Sequence, residues 1–119
     1  MNLDEAIQAH TAWKIKLAAY LRHPDDSIDQ AEASNDHRCP LGQWLHGEAK
    51  KTFGSSPEYA DLVAEHARFH RAVGYVINAA KAGTNLEEAH LLGGGSEFAT
   101  SSQSVIVAIS KLRKVMAAA

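Results

Sequence analysis

The chain of 119 residues has one cysteine, three prolines and no strong excess of charge of either sign. A single cysteine excludes an internal disulfide, so the fold must depend on the core that a chain of this length can bury. The formal net charge of −2 provides no basic footprint for nucleic acid. No segment approaches the roughly 20 apolar residues of a membrane span, and the acidic N-terminus is unlike a secretory signal. These absences predict a cytoplasmic protein that binds neither nucleic acid nor membrane.

The sequence is dominated by helical periodicity, and its strand patterns are weak. Asn2 and Glu5 form a capping-box pattern ahead of a seam with three- and four-residue spacing, and Pro24 ends this first helix. The seam consists of Leu3, Ala6, Ile7, His10, Trp13, Leu17, Tyr20 and Leu21. Residues 23–38 are polar and predict a connection with one irregular turn around Ile28.

The heptapeptide CPLGQWL at residues 39–45 predicts a short helix. Pro40 suits the first helical position, so Cys39 is expected at the N-cap. Gly47 and Gly54 bracket the exit from this segment.

A long third helix is predicted to open at residues 55–58, SSPE, with a second capping-box pattern. Its apolar seam consists of Tyr59, Leu62, Val63, His66, Phe69, His70, Val73, Val76, Ile77 and Ala80. Lys81 and then Gly83 follow the seam, which is the usual order at a helix C-terminus.

The last helical region begins at residues 84–87 and is interrupted by three glycines at residues 93–95, because each interior glycine costs about 1 kcal/mol relative to alanine. The stripe then continues through Phe98, Val105, Ile109, Leu112 and Met116. The pattern predicts an all-α fold, an antiparallel four-helix bundle with a short extra helix carrying the cysteine motif. We expect one domain over residues 1–119.

Three of the seven histidines lie on apolar seams. His66 and His70 are spaced i, i+4 and share one helix face, so both imidazoles can reach one ion. His10 occupies a core-facing position of the first helix. Buried imidazoles without partners are costly, so these side chains either form hydrogen bonds in the core or share a cation. Cys39, whose thiolate a helix N-terminus favours, would complete a tetrahedral zinc shell.

The other four histidines are weaker candidates. His37 lies two residues before Cys39 and could chelate with it, although it belongs to a polar loop. His90 ends a Glu-x-x-His segment of the kind found in di-iron bundles, but no second copy exists, and a solvated face is expected. His23 precedes a proline, and His46 lies near the end of the short helix.

Three segments, in this order, resemble the chemoreceptor zinc-binding domain, a bacterial sensory module. They are HTAWK at residues 10–14 with Leu17, CPLGQWL at residues 39–45 and HARFH at residues 66–70, and Phe98, SQSV at residues 102–105 and residues 112–113 are similar to the last helix of the family. The resemblance covers nearly the whole chain. It implies a four-helix bundle, often a homodimer, that binds one Zn²⁺ through His10, Cys39, His66 and His70.

The resemblance also implies a regulatory role. Members of the family control chemoreceptor signalling domains or diguanylate cyclases, and so chemotaxis or cyclic-di-GMP synthesis. They respond to zinc availability or to oxidants that attack the zinc-bound cysteine. Because no output module is present, we expect the chain to act on a partner protein or to be part of a longer one. Four protein ligands leave no open metal position for substrate or water, so an enzyme is not expected.

Three other functions stay open at this point. The zinc could be purely structural, in an interaction module that senses nothing. A hemerythrin-like protein would bind two iron atoms and dioxygen through bridging carboxylates and further histidines in the seams. An enzyme with a zinc-bound water would use the three histidines alone and would require Cys39 to lie away from the metal.

Overall fold

A computed structural model describes residues 1–83 and 87–118 of the chain. The helices in these ranges are α1 (Leu3–Thr11), α2 (Trp13–Arg22), α3 (Gln30–Ala33), α4 (Pro40–Leu45), α5 (Glu48–Phe53), α6 (Pro57–Lys81), α7 (Glu88–Leu92) and α8 (Glu97–Ala118). No strand occurs in the described residues, so the all-α prediction is confirmed. None of these helices is long and apolar enough to cross a membrane.

The core lies mainly between α6 and α8, the two longest helices. The α1 helix packs on α8, while α2 and α3 pack on α6. Fully buried aliphatic side chains in this core include Leu17, Leu62, Val73, Ile77, Val105, Ile109 and Leu112. Each large aliphatic side chain contributes about 1.5–3 kcal/mol when buried. The antiparallel four-helix arrangement of the bundle stays a prediction.

The first helical segment is divided at Ala12, where the pattern predicts one helix. Ala12 itself keeps helical dihedral angles, φ −65° and ψ −19°, so the interruption is local. The predicted cap is present, since Asn2 Oδ1 accepts hydrogen bonds from the backbone N–H groups of Asp4 and Glu5 at 2.9 and 3.2 Å. The segment ends ahead of Pro24, as predicted.

A short helix, α3, lies in the connection that precedes the cysteine segment. The chain bends at residues 26–28, as predicted around Ile28, and α3 is an addition that the sequence analysis did not predict. The Asp29 side chain caps α3 by accepting from the Glu32 N–H at 3.2 Å. This Asp-x-x-Glu spacing is itself a capping pattern. Gly74 of α6 permits the approach of α3, since a Cβ there would lie 2.8 Å from Ser34 Cβ.

The cysteine segment folds as predicted and continues further than predicted. Cys39 is the N-cap of α4, and Pro40 is its first residue. After Gly47 the chain forms a second short helix, α5, which the sequence pattern does not indicate. The Tyr59 hydroxyl donates to the Leu45 carbonyl at 2.7 Å, which ties the end of α4 to the start of α6.

The later helices begin and end close to the positions predicted from the sequence, but one predicted cap is missing. Ser56 is the N-cap of α6, but its side chain makes no capping hydrogen bond, so the second capping box is wrong. The α6 helix ends at Lys81, and Gly83 takes a left-handed φ of 66°. The predicted glycine interruption separates α7 from α8, with Gly95 at φ 88°. The predicted helix start at residues 84–86 lies outside the described residues.

Candidate metal centre

The four predicted ligands come together in the core. Each of His10, Cys39, His66 and His70 offers one ligand atom, and these atoms all lie within 4.8 Å of one another. We call this group the His₃Cys cluster. The histidines are 3%, 0% and 2% exposed in chain order, and Cys39 is half-buried. The periodicity therefore identified the core-facing histidines correctly.

His66 makes the closest contacts within the cluster. Its Nε2 lies 3.0 Å from His70 Nε2 and 3.2 Å from Cys39 Sγ. The His10 ring meets the His66 ring edge-on, with centroids 5.1 Å apart. Bonds of 2.0–2.1 Å to nitrogen and 2.3 Å to sulfur would set tetrahedral ligand atoms about 3.3–3.6 Å apart. The two closest contacts are only slightly shorter than that spacing.

Backbone carbonyls orient two of the three imidazoles. His10 Nδ1 donates to the Ala6 carbonyl at 2.7 Å, and His70 Nδ1 donates to the Ala33 carbonyl at 2.7 Å. Because a carbonyl oxygen only accepts, each neutral ring carries its proton on Nδ1 and a lone pair on Nε2. Metal-binding histidines are commonly oriented in this way. The α3 helix therefore contributes to the site through a carbonyl group that no sequence motif indicates.

The cluster contains buried nitrogen atoms without partners. His10 Nε2 and His66 Nδ1 are both buried and make no hydrogen bond. The lone pair that His10 turns into the cluster is therefore unsatisfied, which is costly in a core. Phe69 packs edge-on against His10 and His70, with centroids 5.2 and 5.4 Å away. Imidazole nitrogens with one thiol sulfur, enclosed by apolar side chains, fit a borderline-soft cation such as Zn²⁺.

Burial lowers the pKa of all three histidines of the cluster, because the imidazolium form loses its hydration. The pKa of His10 falls from 6.5 to about 4. Burial also lowers the pKa of His70 and of His66, where the neighbouring imidazoles lower it further. The rings are therefore neutral near pH 7, which is the form that binds a metal ion.

The Cys39 thiol is less acidic than its position at a helix N-cap predicts. Burial raises its pKa and outweighs the backbone N–H groups at the start of α4, which lower it. One of these groups is the N–H of Gly42, 3.3 Å from Sγ. The helix N-terminus alone therefore does not make this cysteine a thiolate. A coordinated cation would deprotonate it, as metal coordination does for other thiols.

Gly42 allows the chain before the cysteine to lie directly against α4. A Cβ at this position would lie 1.8 Å from the Asp36 carbonyl oxygen and 3.2 Å from His37 Cα. Gln43 Nε2 donates to the Arg38 carbonyl at 2.9 Å and holds the same loop. Sequence reasoning gave this glycine no role, although a glycine inside a six-residue helix is itself a signal of close backbone approach.

The remaining histidines lie outside the His₃Cys cluster. His37 does not join Cys39 there; its ring stacks on that of His46 instead, with centroids 3.7 Å apart. His23 and His90 are exposed, and for His90 this agrees with the expected solvated face.

Comparison with protein families supports the motif-based resemblance. The family model of the chemoreceptor zinc-binding domain matches residues 10–77, which is more than half of the chain. The matched span contains every member of the His₃Cys cluster. No curated protein and no solved structure gives a significant match.

Proposed function

Because the chain belongs to the chemoreceptor zinc-binding domain family, we propose that it is a zinc-binding sensory domain of bacterial signalling. Its proposed ligands are the three Nε2 atoms and the thiol sulfur of the His₃Cys cluster. The observation that carries this proposal is their convergence within 4.8 Å in the core. Zn²⁺ at this site would supply a positive charge that holds the thiolate and joins three chain segments.

The donor set favours zinc over a di-iron centre. The His₃Cys cluster has no carboxylate, whereas hemerythrin-like and related di-iron bundles need bridging carboxylates from the helix seams. In residues 1–83 and 87–118, the other group able to hold a metal has a single carboxylate. Four protein donors also fill a tetrahedral shell, which favours a regulatory or structural metal over catalysis.

The position of the cluster provides a route from the metal to the rest of the fold. It joins α1, the start of α4 and the middle of α6, and α1 also packs on α8. An ion pair between Asp4 of α1 and Arg113 of α8 reinforces that contact. Loss of the metal would leave the buried His10 Nε2 without a partner and remove the bond that ties the start of α4 to α1 and α6. The helices would then shift toward a different packing that a partner can detect.

Trp44 couples the cysteine segment to the core. The side chain is partly buried against the core, and its ring lies 6.4 Å from that of Phe53 in α5. Movement of α4 would therefore disturb α5 as well.

We further propose that residues 1–119 form one cytoplasmic sensory domain that assembles as a homodimer. Its proposed partner is a signalling protein of the chemoreceptor or diguanylate cyclase type. Ile15, Tyr75 and Val107, on three different helices, are 76%, 61% and 48% exposed. Singly exposed apolar side chains are normal on a protein surface, so the proposed homodimer rests on the family resemblance.

Purified protein without an affinity tag is expected to contain about one zinc ion per chain and little iron. Elemental mass spectrometry on protein from unsupplemented cells measures this directly, with the dialysis buffer as the control. Two iron atoms per chain and a coloured protein would contradict the zinc assignment and favour the hemerythrin-like alternative.

The sensory role can be tested on the thiol. Hydrogen peroxide is expected to release zinc from the loaded protein, measured with a chromophoric zinc indicator. The Cys39 thiolate attacks one peroxide oxygen, the O–O bond breaks, hydroxide leaves, and a sulfenic acid forms. A sulfenic acid is a weaker ligand than a thiolate, so the zinc should dissociate.

Cys39→Ala is the matched variant for this test. It should bind zinc more weakly through the remaining histidines, and peroxide should not change its rate of zinc release. If Cys39→Ala keeps both the affinity and the peroxide response of the parent protein, the sensing mechanism is wrong even though zinc is bound. If peroxide releases no zinc from the parent protein, the purely structural alternative is favoured.

A further inference from the structure

We propose that Asp36, His37 and His46 form a second site for a divalent transition-metal cation, at the surface beside the His₃Cys cluster. Each of these residues offers one ligand atom, and the atoms lie within 4.8 Å of one another. We call this group the surface His–Asp cluster. It shares no residue with the His₃Cys cluster, and its occupancy goes beyond the function proposed above.

The contacts within the surface His–Asp cluster leave one nitrogen without a hydrogen bond. His46 Nε2 is buried and has no hydrogen-bond partner, although Asp36 Oδ2 lies 3.5 Å away. The rings of His37 and His46 stack with an interplanar angle of 11°. A metal ion bound between these rings and the carboxylate would give the unpartnered nitrogen a ligand role and would give the carboxylate a counter-charge.

The local fold holds these groups together before any ion binds. Gly42 allows the backbone at residues 36–37 to touch α4, and His46 is the C-cap of that helix. The Asn35 side chain accepts from the His37 N–H at 2.9 Å and shapes the turn. The imidazole of His37 is exposed, so it has room to turn toward an ion shared with His46.

The chemistry of this donor set differs from that of the buried cluster. Two imidazoles and one carboxylate are typical of open sites for divalent zinc, iron and related cations, in which water completes the coordination sphere. The side chains of His46 and Asp36 are 26% and 24% exposed, so water can reach the ion. We therefore infer a weaker, exchangeable site, in contrast to the enclosed His₃Cys cluster.

The surface site lies close enough to influence the buried one. The backbone of Asp36 lies directly against Gly42, and the N–H of Gly42 lies 3.3 Å from Cys39 Sγ. A cation held by Asp36 would counter the charge of that carboxylate next to the thiol. Occupancy of the surface site would therefore place a second positive charge near the buried site.

Equilibrium dialysis against buffered free Zn²⁺ tests the proposal on the full chain without an affinity tag. The parent protein is expected to bind a first equivalent tightly and a second equivalent at higher free zinc. His37→Ala should weaken the second equivalent more than about tenfold, since one of three protein ligands is lost. The same change should leave the first equivalent unaltered, because this exposed side chain lies outside the His₃Cys cluster.

His90→Ala is the matched control, because it removes another exposed histidine far along the chain from either cluster. It should leave both equivalents unchanged, and Asp36→Asn should reproduce the effect of His37→Ala. Saturation of the parent protein at one zinc per chain would overturn the proposal. A second equivalent that survives His37→Ala unchanged would also overturn it, since the ion would then bind elsewhere. If the parent protein binds the weaker equivalent but not the tight one, the buried zinc centre is contradicted and the surface His–Asp cluster is not.

Discussion

His66→Ala is expected to lower the zinc affinity of the chain by about 100- to 1,000-fold. Structural zinc sites with four ligands are worth roughly 10–16 kcal/mol, so an equal share for one ligand is about 2.5–4 kcal/mol, or two to three orders of magnitude. We choose His66 for this test because its Nε2 lies within 3.2 Å of both His70 Nε2 and Cys39 Sγ. Competition with a chromophoric chelator measures the change.

Two further variants make this result interpretable. His90→Ala, an exposed histidine of α7, should leave the zinc affinity within about twofold of the parent. His66→Gln fills more of the vacated volume than alanine and guards against a loss that reflects a core cavity. Circular dichroism of the metal-free variants checks that the helices persist. Equal affinity of His66→Ala and the parent protein would contradict the assignment of His66 as a ligand.

Gly42→Ala is expected to destabilise the metal-free chain by about 1–3 kcal/mol and to weaken zinc binding at least about tenfold. The added Cβ would lie 1.8 Å from the Asp36 carbonyl oxygen. Because that neighbour is backbone, the loop before Cys39 must move, and it would displace the thiol from the histidines. Urea unfolding with and without zinc, together with the chelator competition, measures both effects.

Gly94→Ala provides a matched glycine control. A Cβ at Gly94 would meet nothing within 4 Å, and Gly94 does not have a positive φ. Its substitution should change the free energy of unfolding by no more than about 0.5 kcal/mol and should leave zinc affinity unaltered. If Gly42→Ala behaves like Gly94→Ala, close packing of the loop on α4 does not position the cysteine.

Local patterns in the sequence were sufficient to predict most of the long helices and the core positions of the three histidines. The i, i+4 spacing of His66 and His70 and the seam position of His10 depend only on the periodicity of a single helix. Pro40 after Cys39 likewise predicts an N-cap without knowledge of the rest of the chain. These features need no information about how the helices pack together.

Other local patterns proved incomplete. The serine before α6 forms no capping hydrogen bond, and the first helix is interrupted at Ala12. The thiol of Cys39 is less acidic than its N-cap position suggests, because burial opposes the helix N-terminus. A sequence motif shows which groups could form a cap or lower a pKa. Whether they do so also depends on burial by distant segments of the chain.

The proposed zinc centre therefore depends both on local sequence patterns and on the packing of distant segments. Local sequence patterns are enough to predict the long helices, the inward-facing imidazoles and the cap position of Cys39, since each depends on neighbours a few residues away. The tertiary fold, and no local pattern, brings Cys39 to His66, 27 positions along the chain. It likewise decided that His70 donates to the Ala33 carbonyl, 37 positions away. These contacts arise from the packing of separate helices and loops, which no single periodicity contains.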